Sequence, residues 1–221
     1  GMRGEKEALD ICRYLRSQSS GLEGTRGALS PNNVLAKSIS IAQDLYGGDA
    51  ADTRIVSSNL RRSMNTVTIA LQDRLLRNRE SVEVLSSLQE ISRNVDTIST
   101  SSAGGVQANM GGHMSLLDAD KVFDARMNKG NKSPSVRGSE RIKDFVQWLF
   151  SQRESKFVVS GHSLYFRWFF RMYLPHGLQH IAKQKKIANG GIVAFEVVQD
   201  SKGSVQILPN SITSVYLGFA K

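Results

Sequence analysis

Apolar side chains return every three or four positions in several parts of the chain, and this spacing places them on one face of a helix. Residues 5–16 show it, and so does a segment that ends at Gly47 and Gly48. Ser30 can cap that second helix, and Pro31 suits its first turn. The same spacing predicts further helices over residues 60–71, from Ser139 onward and over residues 164–173, listed here in chain order.

Short runs of β-branched or apolar residues separate these helices and predict strands. They cover residues 53–58, 82–91, 156–160, 192–198 and 204–208. The last two are expected to form a hairpin that turns at residues 200–203. Strands that alternate with helices predict an α/β fold, here a three-layer structure with a mostly parallel central sheet flanked by helices. Residues 1–221 are expected to form a single domain.

One long segment breaks this alternation. Residues 97–114, TISTSSAGGVQANMGGHM, are rich in Ser, Gly, Ala and Asn. Such a composition is typical of surface loops that carry function rather than of a packed element. The sequence therefore predicts a flexible insertion at about residues 97–114, near the functional site.

Composition and charge narrow the classes of partner. The 221 residues carry 29 Lys and Arg against 20 Asp and Glu, a formal net charge of +9. This excess favours anionic partners, although a basic, solvated surface gives the same count.

The single cysteine, Cys12, permits no internal disulfide, and no apolar run is long enough to span a bilayer. We therefore expect a cytoplasmic protein.

The stretch VVSGHSLYFR, residues 158–167, can be interpreted in two ways. Ser163 could be the nucleophile of a serine esterase, because Gly161-x-Ser163 lies between a predicted strand and a predicted helix. Tyr165, however, stands where that motif needs a second glycine, and the downstream histidines precede rather than follow Asp200. The esterase is therefore the minor alternative, and the other interpretation makes His162 a phosphate-binding histidine.

A second segment favours the histidine. SSNLRRSMNTV, residues 57–67, resembles the S-S-x-L-x-R-A-x-x-T-A signature of the histidine phosphatases, the phosphoglycerate-mutase-like superfamily, with Ser63 and Val67 in place of two alanines. LQEI, residues 88–91, resembles the family's Leu-x-Glu element, and VVSGHS resembles its final catalytic strand. The resemblance runs from about residue 29 to residue 198. It implies a phosphoglycerate-mutase-like fold.

The resemblance also implies roles for individual residues. Arg62 would bind the transferred phosphoryl group from the first turn of a helix, a role that suits its planar guanidinium. His162, expected to be cationic, would bind the same group, and Glu90 would donate a proton to the leaving oxygen. The implied reaction is hydrolysis of a phosphomonoester through a phosphohistidine intermediate, on a phosphorylated small molecule or a phosphoprotein.

The family's nucleophilic histidine, in an Arg-His-Gly motif, has no counterpart in the sequence. The nearest segment is MRGE, residues 2–5, in which Arg3 is a candidate phosphate ligand. Three explanations stay open: an N-terminal segment that is not in the sequence, a divergent strand within residues 11–15, or a catalytically inactive protein that binds phosphorylated ligands. The last of these would be a pseudophosphatase.

Other ligands find less support in the sequence. One cysteine and four scattered histidines offer no metal-binding spacing, and the implied mechanism needs no cofactor. The basic and aromatic segment FRWFFRMY, residues 166–173, is apolar enough to predict a buried helix rather than a nucleic-acid surface. We expect neither a metal, a cofactor nor a specific nucleic acid, and the oligomeric state is left open.

Overall fold

The structure, a computed structural model, describes residues 2–20, 34–48, 51–106, 117 and 119–221; the side chains of residues 2, 3, 119 and 120 are outside the description. At its centre is a parallel sheet with the strand order β3-β2-β1-β4. The predicted α/β class, with a parallel sheet between helices, is therefore confirmed. The strands of this sheet are β1 (Thr53–Ser58), β2 (Val82–Leu85), β3 (Phe123–Asp124) and β4 (Lys156–Ser160).

Helices connect these strands, as parallel strands require. The two predicted N-terminal helices are present, although Ser30 and Pro31 lie outside the described residues. The region around residues 11–15 is helical, so the alternative of a strand there is wrong. The helices are α1 (Met2–Ser20), α2 (Val34–Gly47), α3 (Arg61–Ala70), α4 (Gln72–Asn78), α5 (Ala119–Val122), α6 (Gly138–Phe150), α7 (Ser163–Tyr173) and α8 (Ile181–Gln184).

Both faces of the sheet are covered, because successive side chains of a strand point to opposite faces. Ile55 of β1 packs in a cluster with residues of α1, α2 and α3, among them Leu15 of α1. The next residue, Val56, packs in a second cluster with α6 and α7, which includes Phe169. The central strand therefore joins the two halves of the core.

The C-terminal region forms two antiparallel strand pairs. The predicted hairpin is confirmed for β6 (Val197–Gln199) and β7 (Val205–Ile207), which pair across the turn at residues 200–203. The run at residues 192–198 is, however, divided: β5 (Ile192–Ala194) pairs with β8 (Thr213–Tyr216), a strand that the sequence analysis missed. The Tyr14 hydroxyl of α1 donates to the carbonyl of Val215, 2.9 Å away, which joins α1 to β8.

The predicted strand over residues 82–91 is shorter than expected. β2 ends at Leu85, and one turn of 3-10 helix covers residues 86–88. Polar side chains accompany the early end: the Ser86 hydroxyl donates to Asn128 Oδ1 at 2.8 Å and so fixes the chain where the strand stops. Glu90 therefore lies in the connection after the strand and not on it.

The predicted flexible insertion at residues 97–114 is only partly described, since residues 107–116 lie outside the described residues. In its first part Thr97, Ser99 and Ser101 are buried, while residues 98, 100 and 102–104 are exposed. The Ser99 amide donates to Asn131 Oδ1, and Asn128 Nδ2 donates to Ser101 Oγ. The buried polar residues of this part thus hydrogen-bond to the segment after β3.

A buried arginine of α4 holds α2 against α4. The Arg74 side chain, 1% exposed, donates to both carboxylate oxygens of Glu80 at 2.6 and 2.7 Å, and to the carbonyls of Asp44 and Leu45 at the end of α2. Gly48 follows with φ of +69°, and a Cβ there would come within 2.4 Å of the guanidinium. The glycine is thus required by both its backbone conformation and the close arginine.

Nearby, the thiol of Cys12 is buried on the inner face of α1. Burial and the charge of Asp73 raise the pKa of this thiol above its ordinary value.

None of the described helices combines the length and hydropathy that a membrane span requires.

Candidate functional site

The order of the strands identifies the edge of the sheet where a ligand site is expected. From β1 the chain moves to β2 and then β3 on one side, and it returns to β4 on the other side of β1. In open parallel sheets, ligands bind at such a switch point, outside the carboxyl ends of the strands. Here that position lies between the ends of β1 and β4, where Ser58 and His162 are found.

These two side chains contact each other across the switch point. His162 Nε2 lies 2.8 Å from Ser58 Oγ, although the residues are 104 positions apart in the sequence. A chain of hydroxyl contacts lies beneath them: Ser57 to Ser63 at 3.1 Å, and Ser63 to Ser160 at 2.9 Å. Ser63, which stands where the resembled family has alanine, therefore links the start of α3 to β1 and β4.

His162 is neutral at neutral pH in this environment. The residue is 6% exposed, and burial lowers the pKa of its imidazole from 6.5 to about 3, helped by the positive charges of Arg62 and Lys132. The expected cationic imidazole is thus not favoured, because three positive groups would then crowd one partly buried space. A neutral imidazole can still donate one hydrogen bond and accept another.

Arg62 lies in the first turn of α3, and its side chain is 45% exposed. Its Nη1 donates to the carbonyl oxygen of Asp96 at 2.6 Å, and it is 3.8 Å from the Asp96 carboxylate. Arg62 is also close enough to His162 to lower the pKa of the imidazole. The guanidinium therefore stands at the mouth of the site and has donors left for a ligand.

Glu90 lies at the same edge, in the connection after β2. It is 7% exposed, and its Oε1 accepts a hydrogen bond of 2.7 Å from the amide of Ile91. Its burial distinguishes it from a solvent-facing glutamate on a strand. The structure thus brings Arg62, Glu90 and His162 to one edge of the sheet, which we call the His162 edge.

Two further cations at the His162 edge were missed by the sequence analysis. Lys132 Nζ donates to the carbonyl of Glu90 at 2.6 Å, and burial lowers the pKa of Lys132 from 10.5 to about 8, with Arg141 and Arg62 as further cationic causes. Arg141 of α6, 7% exposed, donates to the carbonyls of Gln89 and Glu90 at 3.3 Å, while its Nε is buried without a partner. Neither residue lies in a recognisable motif, so no pattern in the sequence could have found them.

Two helices begin at this edge, and in both the side chain of the N-cap residue leaves the first turn uncapped. The N-cap of the ten-residue α3 is Leu60, and that of the eleven-residue α7 is His162, whose ring contacts Ser58 instead. Free N–H groups and the helix dipole favour a negative charge at such ends. Together with Arg62 and Lys132, they make the His162 edge suited to an anion.

The other candidate residues are placed as follows. Ser163 is the first residue of α7, and the imidazole beside it contacts Ser58, which gives the serine-esterase interpretation no support. Arg3 lies in the first turn of α1, in a helix rather than at the end of a strand, and its side chain is outside the described residues.

Neither a metal centre nor a separate cavity competes with this site among the described residues. Across the described ranges, no group of three or more His, Cys, Asp or Glu could hold a metal ion. A cavity of about 230 Å³ lies at the opposite edge of the sheet, where Gly48, Thr53 and Lys156 line it. Thr53 and Lys156 begin β1 and β4, so this cavity is separated from the His162 edge by the length of the strands.

Comparisons of the chain with protein-family models, with curated proteins and with solved structures gave no match.

Proposed function

We propose that this protein is a phosphatase of the histidine-phosphatase type, which binds and hydrolyses the phosphoryl group of a small molecule or a phosphoprotein at the His162 edge. The observation that carries the proposal is the convergence of Arg62, Glu90 and His162, which come from three separate segments. Arg62 acts on the pKa of His162, and Glu90 and Arg62 both act on that of Lys132. The groups therefore share one electrostatic environment.

The proposed chemistry assigns a task to each of the three groups. Arg62 and His162 donate hydrogen bonds to the phosphoryl oxygens and stabilise their charge in the transition state. The reaction also requires a nucleophilic imidazole, which no described residue beside His162 supplies. That imidazole would form a bond to phosphorus while the bond to the leaving oxygen breaks, and the Glu90 carboxyl would give a proton to that oxygen. Water then cleaves the phosphohistidine and releases inorganic phosphate.

A second candidate function, phosphate-ligand binding without turnover, is favoured by the positions of the histidines. Of those described, His176 and His180 follow α7, whose eleven residues separate them from His162 by ~16 Å of helix. His113 lies outside the described residues. The segment with Arg3 opens a helix instead of ending a strand. The described part of the His162 edge thus holds the proposed phosphate ligands but no second imidazole.

The experiment measures the binding of inorganic phosphate by calorimetry and the hydrolysis of para-nitrophenyl phosphate by the purified chain. Arg62→Ala should weaken phosphate binding roughly tenfold to a hundredfold, because this is the usual contribution of a charge-assisted hydrogen bond to affinity. His162→Gln should lower both binding and hydrolysis. Arg61→Ala is the matched control, because Arg61 is the exposed neighbour of Arg62 on the same helix.

The outcomes separate the candidates. Hydrolysis that is lost in both site variants and kept in the control supports the phosphatase. Binding that depends on Arg62 without any hydrolysis supports the binding protein. If phosphate does not bind, or if Arg61→Ala weakens binding as much as Arg62→Ala, the His162 edge is not a phosphate site. Ester hydrolysis that responds only to Ser163→Ala would instead indicate a serine esterase.

A further inference from the structure

One ammonium group contacts both ends of the loop that carries Glu90. We call residues 90–97 the Glu90 loop. Lys132 Nζ donates to the Glu90 carbonyl at 2.6 Å, to the Ser92 carbonyl at 2.5 Å and to Thr97 Oγ1 at 2.8 Å. A protonated lysine has three donors, and all three go to the two ends of this loop.

The loop in turn holds Arg62. The Asp96 carbonyl accepts the 2.6 Å hydrogen bond from Arg62 Nη1, and the Asp96 carboxylate lies 3.8 Å from the same atom. Any movement of Asp96 would therefore redirect the guanidinium. The Glu90 loop thus carries one proposed catalytic carboxyl and sets the direction of the proposed phosphate ligand.

The position of Lys132 is itself fixed. Its amide donates to Gln89 Oε1 at 2.9 Å, while Gln89 Nε2 donates to the Thr97 carbonyl at 2.8 Å and to Asn131 Oδ1 at 2.7 Å. Gln89 is fully buried. The lysine therefore acts from a rigid base, and its three hydrogen bonds are not available to a ligand.

We propose that Lys132 is a positioning residue, which holds the Glu90 loop in place so that the Arg62 guanidinium and the Glu90 carboxyl face the same bound anion. Lys132 does not contact the anion and acts through the loop. The role of the anion rests on the proposed function, whereas the ordering of the loop by Lys132 does not.

Charged groups of both signs surround Lys132. Arg141 of α6, Arg62 of α3 and the loop's own Glu90 and Asp96 face it. With Lys132 itself, three positive groups stand against two negative ones, and a bound anion would offset that excess. The loop and an anionic ligand are thus stabilised by the same set of charges.

The first test compares Lys132→Met with Lys129→Met by hydrogen exchange of the intact protein. Lys129 is exposed and lies three positions away, so it controls for the loss of one charge in the same segment. In Lys132→Met, the amides of Asn94, Thr97 and Ile98, which are hydrogen-bonded within or next to the loop, should exchange roughly tenfold faster. Unchanged exchange, or equal effects of both variants, would overturn the proposal.

The second test is a double-mutant cycle on inorganic phosphate binding. Lys132→Met should lower the affinity roughly tenfold in the wild-type background but less than twofold in an Arg62→Ala background, because its effect passes through Arg62. Lys132→Arg, which keeps the charge and the donors, should restore part of the affinity. Equal losses in both backgrounds would show that Lys132 does not act through Arg62, and would overturn its positioning role.

The two tests separate this inference from the proposed function. If the wild type does not bind phosphate, the proposed function fails, and hydrogen exchange alone decides whether Lys132 orders the loop. If the wild type binds phosphate through Arg62 but Lys132→Met changes neither binding nor exchange, the proposed function stands and the role of Lys132 is refuted.

Discussion

At the scale of the residue, the chemistry of the site depends on what each side chain is buried with. The residues next to His162 in the sequence do not reveal its protonation state. Its lowered pKa arises from burial and from Arg62 and Lys132, which are distant along the chain. The position of His162 after a strand was predictable from the apolar run that precedes it. Its neutral form was not, since the two cations reach it only through the fold.

The lowered pKa of His162 predicts a loss of stability in acid. Between pH 6.5 and about 3 the unfolded chain binds a proton at this imidazole and the folded chain does not, so unfolding becomes more favourable as the pH falls. Each pH unit in this window is worth about 1.4 kcal/mol, so this imidazole contributes a loss of about 2 kcal/mol between pH 7 and pH 5.

Urea denaturation of the wild type and of His162→Gln at both pH values measures this contribution. The variant has no imidazole to protonate at this position, and its loss of unfolding free energy between pH 7 and pH 5 should be about 2 kcal/mol smaller. The same loss in both proteins would mean that His162 titrates normally in the folded state.

At the scale of the element, the helices were easier to predict than the connections. The apolar spacing of residues 5–16 and 164–173 corresponds to α1 and α7, because a long one-sided pattern has few other ways to bury its apolar face. The connection after β2 was mistaken for a strand because apolar and polar residues can alternate both in a strand and in a loop. Only the partners of its polar side chains decide that it is a loop: Ser86 contacts the buried Asn128, and Gln89 contacts Asn131.

The packing of α2 on α4 depends on Arg74, which donates to carbonyls at the end of α2 and whose charge is paired with Glu80. Arg74→Met leaves the Glu80 carboxylate buried without its partner, which should lower the free energy of unfolding by about 3–5 kcal/mol in urea denaturation. The double variant Arg74→Met with Glu80→Met should recover much of this loss, since no charge is then left buried.

The exposed Arg13–Asp10 pair provides the control for this prediction. Arg13 is 73% exposed, and Arg13→Ala should change the unfolding free energy by less than about 1 kcal/mol. If Arg74→Met cost no more than Arg13→Ala, the buried arginine would not be what holds the two helices together.

At the scale of the whole molecule, the two core clusters share one sheet. Because Ile55 and Val56 are neighbours on β1 but pack on opposite faces, disorder on one face removes the support of the other. We therefore expect the chain to unfold as one unit. The α/β class followed from the alternation of strands and helices, but the pairing of β5 with β8 joins segments that no local pattern relates.

Single cooperative unfolding can be tested with one core variant on each face. Leu15→Ala should lower the unfolding free energy by about 2–5 kcal/mol, and Phe169→Ala by about 3–5 kcal/mol, because both side chains are almost fully buried. In each variant, near- and far-ultraviolet circular dichroism should report one coincident transition. Two separate transitions, each sensitive to only one variant, would show that the faces unfold independently.

The buried Cys12 gives the molecule an internal reporter of motion. It is the only cysteine of the chain, and burial, the largest cause of its raised pKa, keeps the reactive thiolate scarce in the closed state. An alkylating reagent can therefore label the protein only at moments when α1 lifts away from its neighbours. The labelling rate, followed by mass spectrometry, would give the frequency of that opening without any engineered probe.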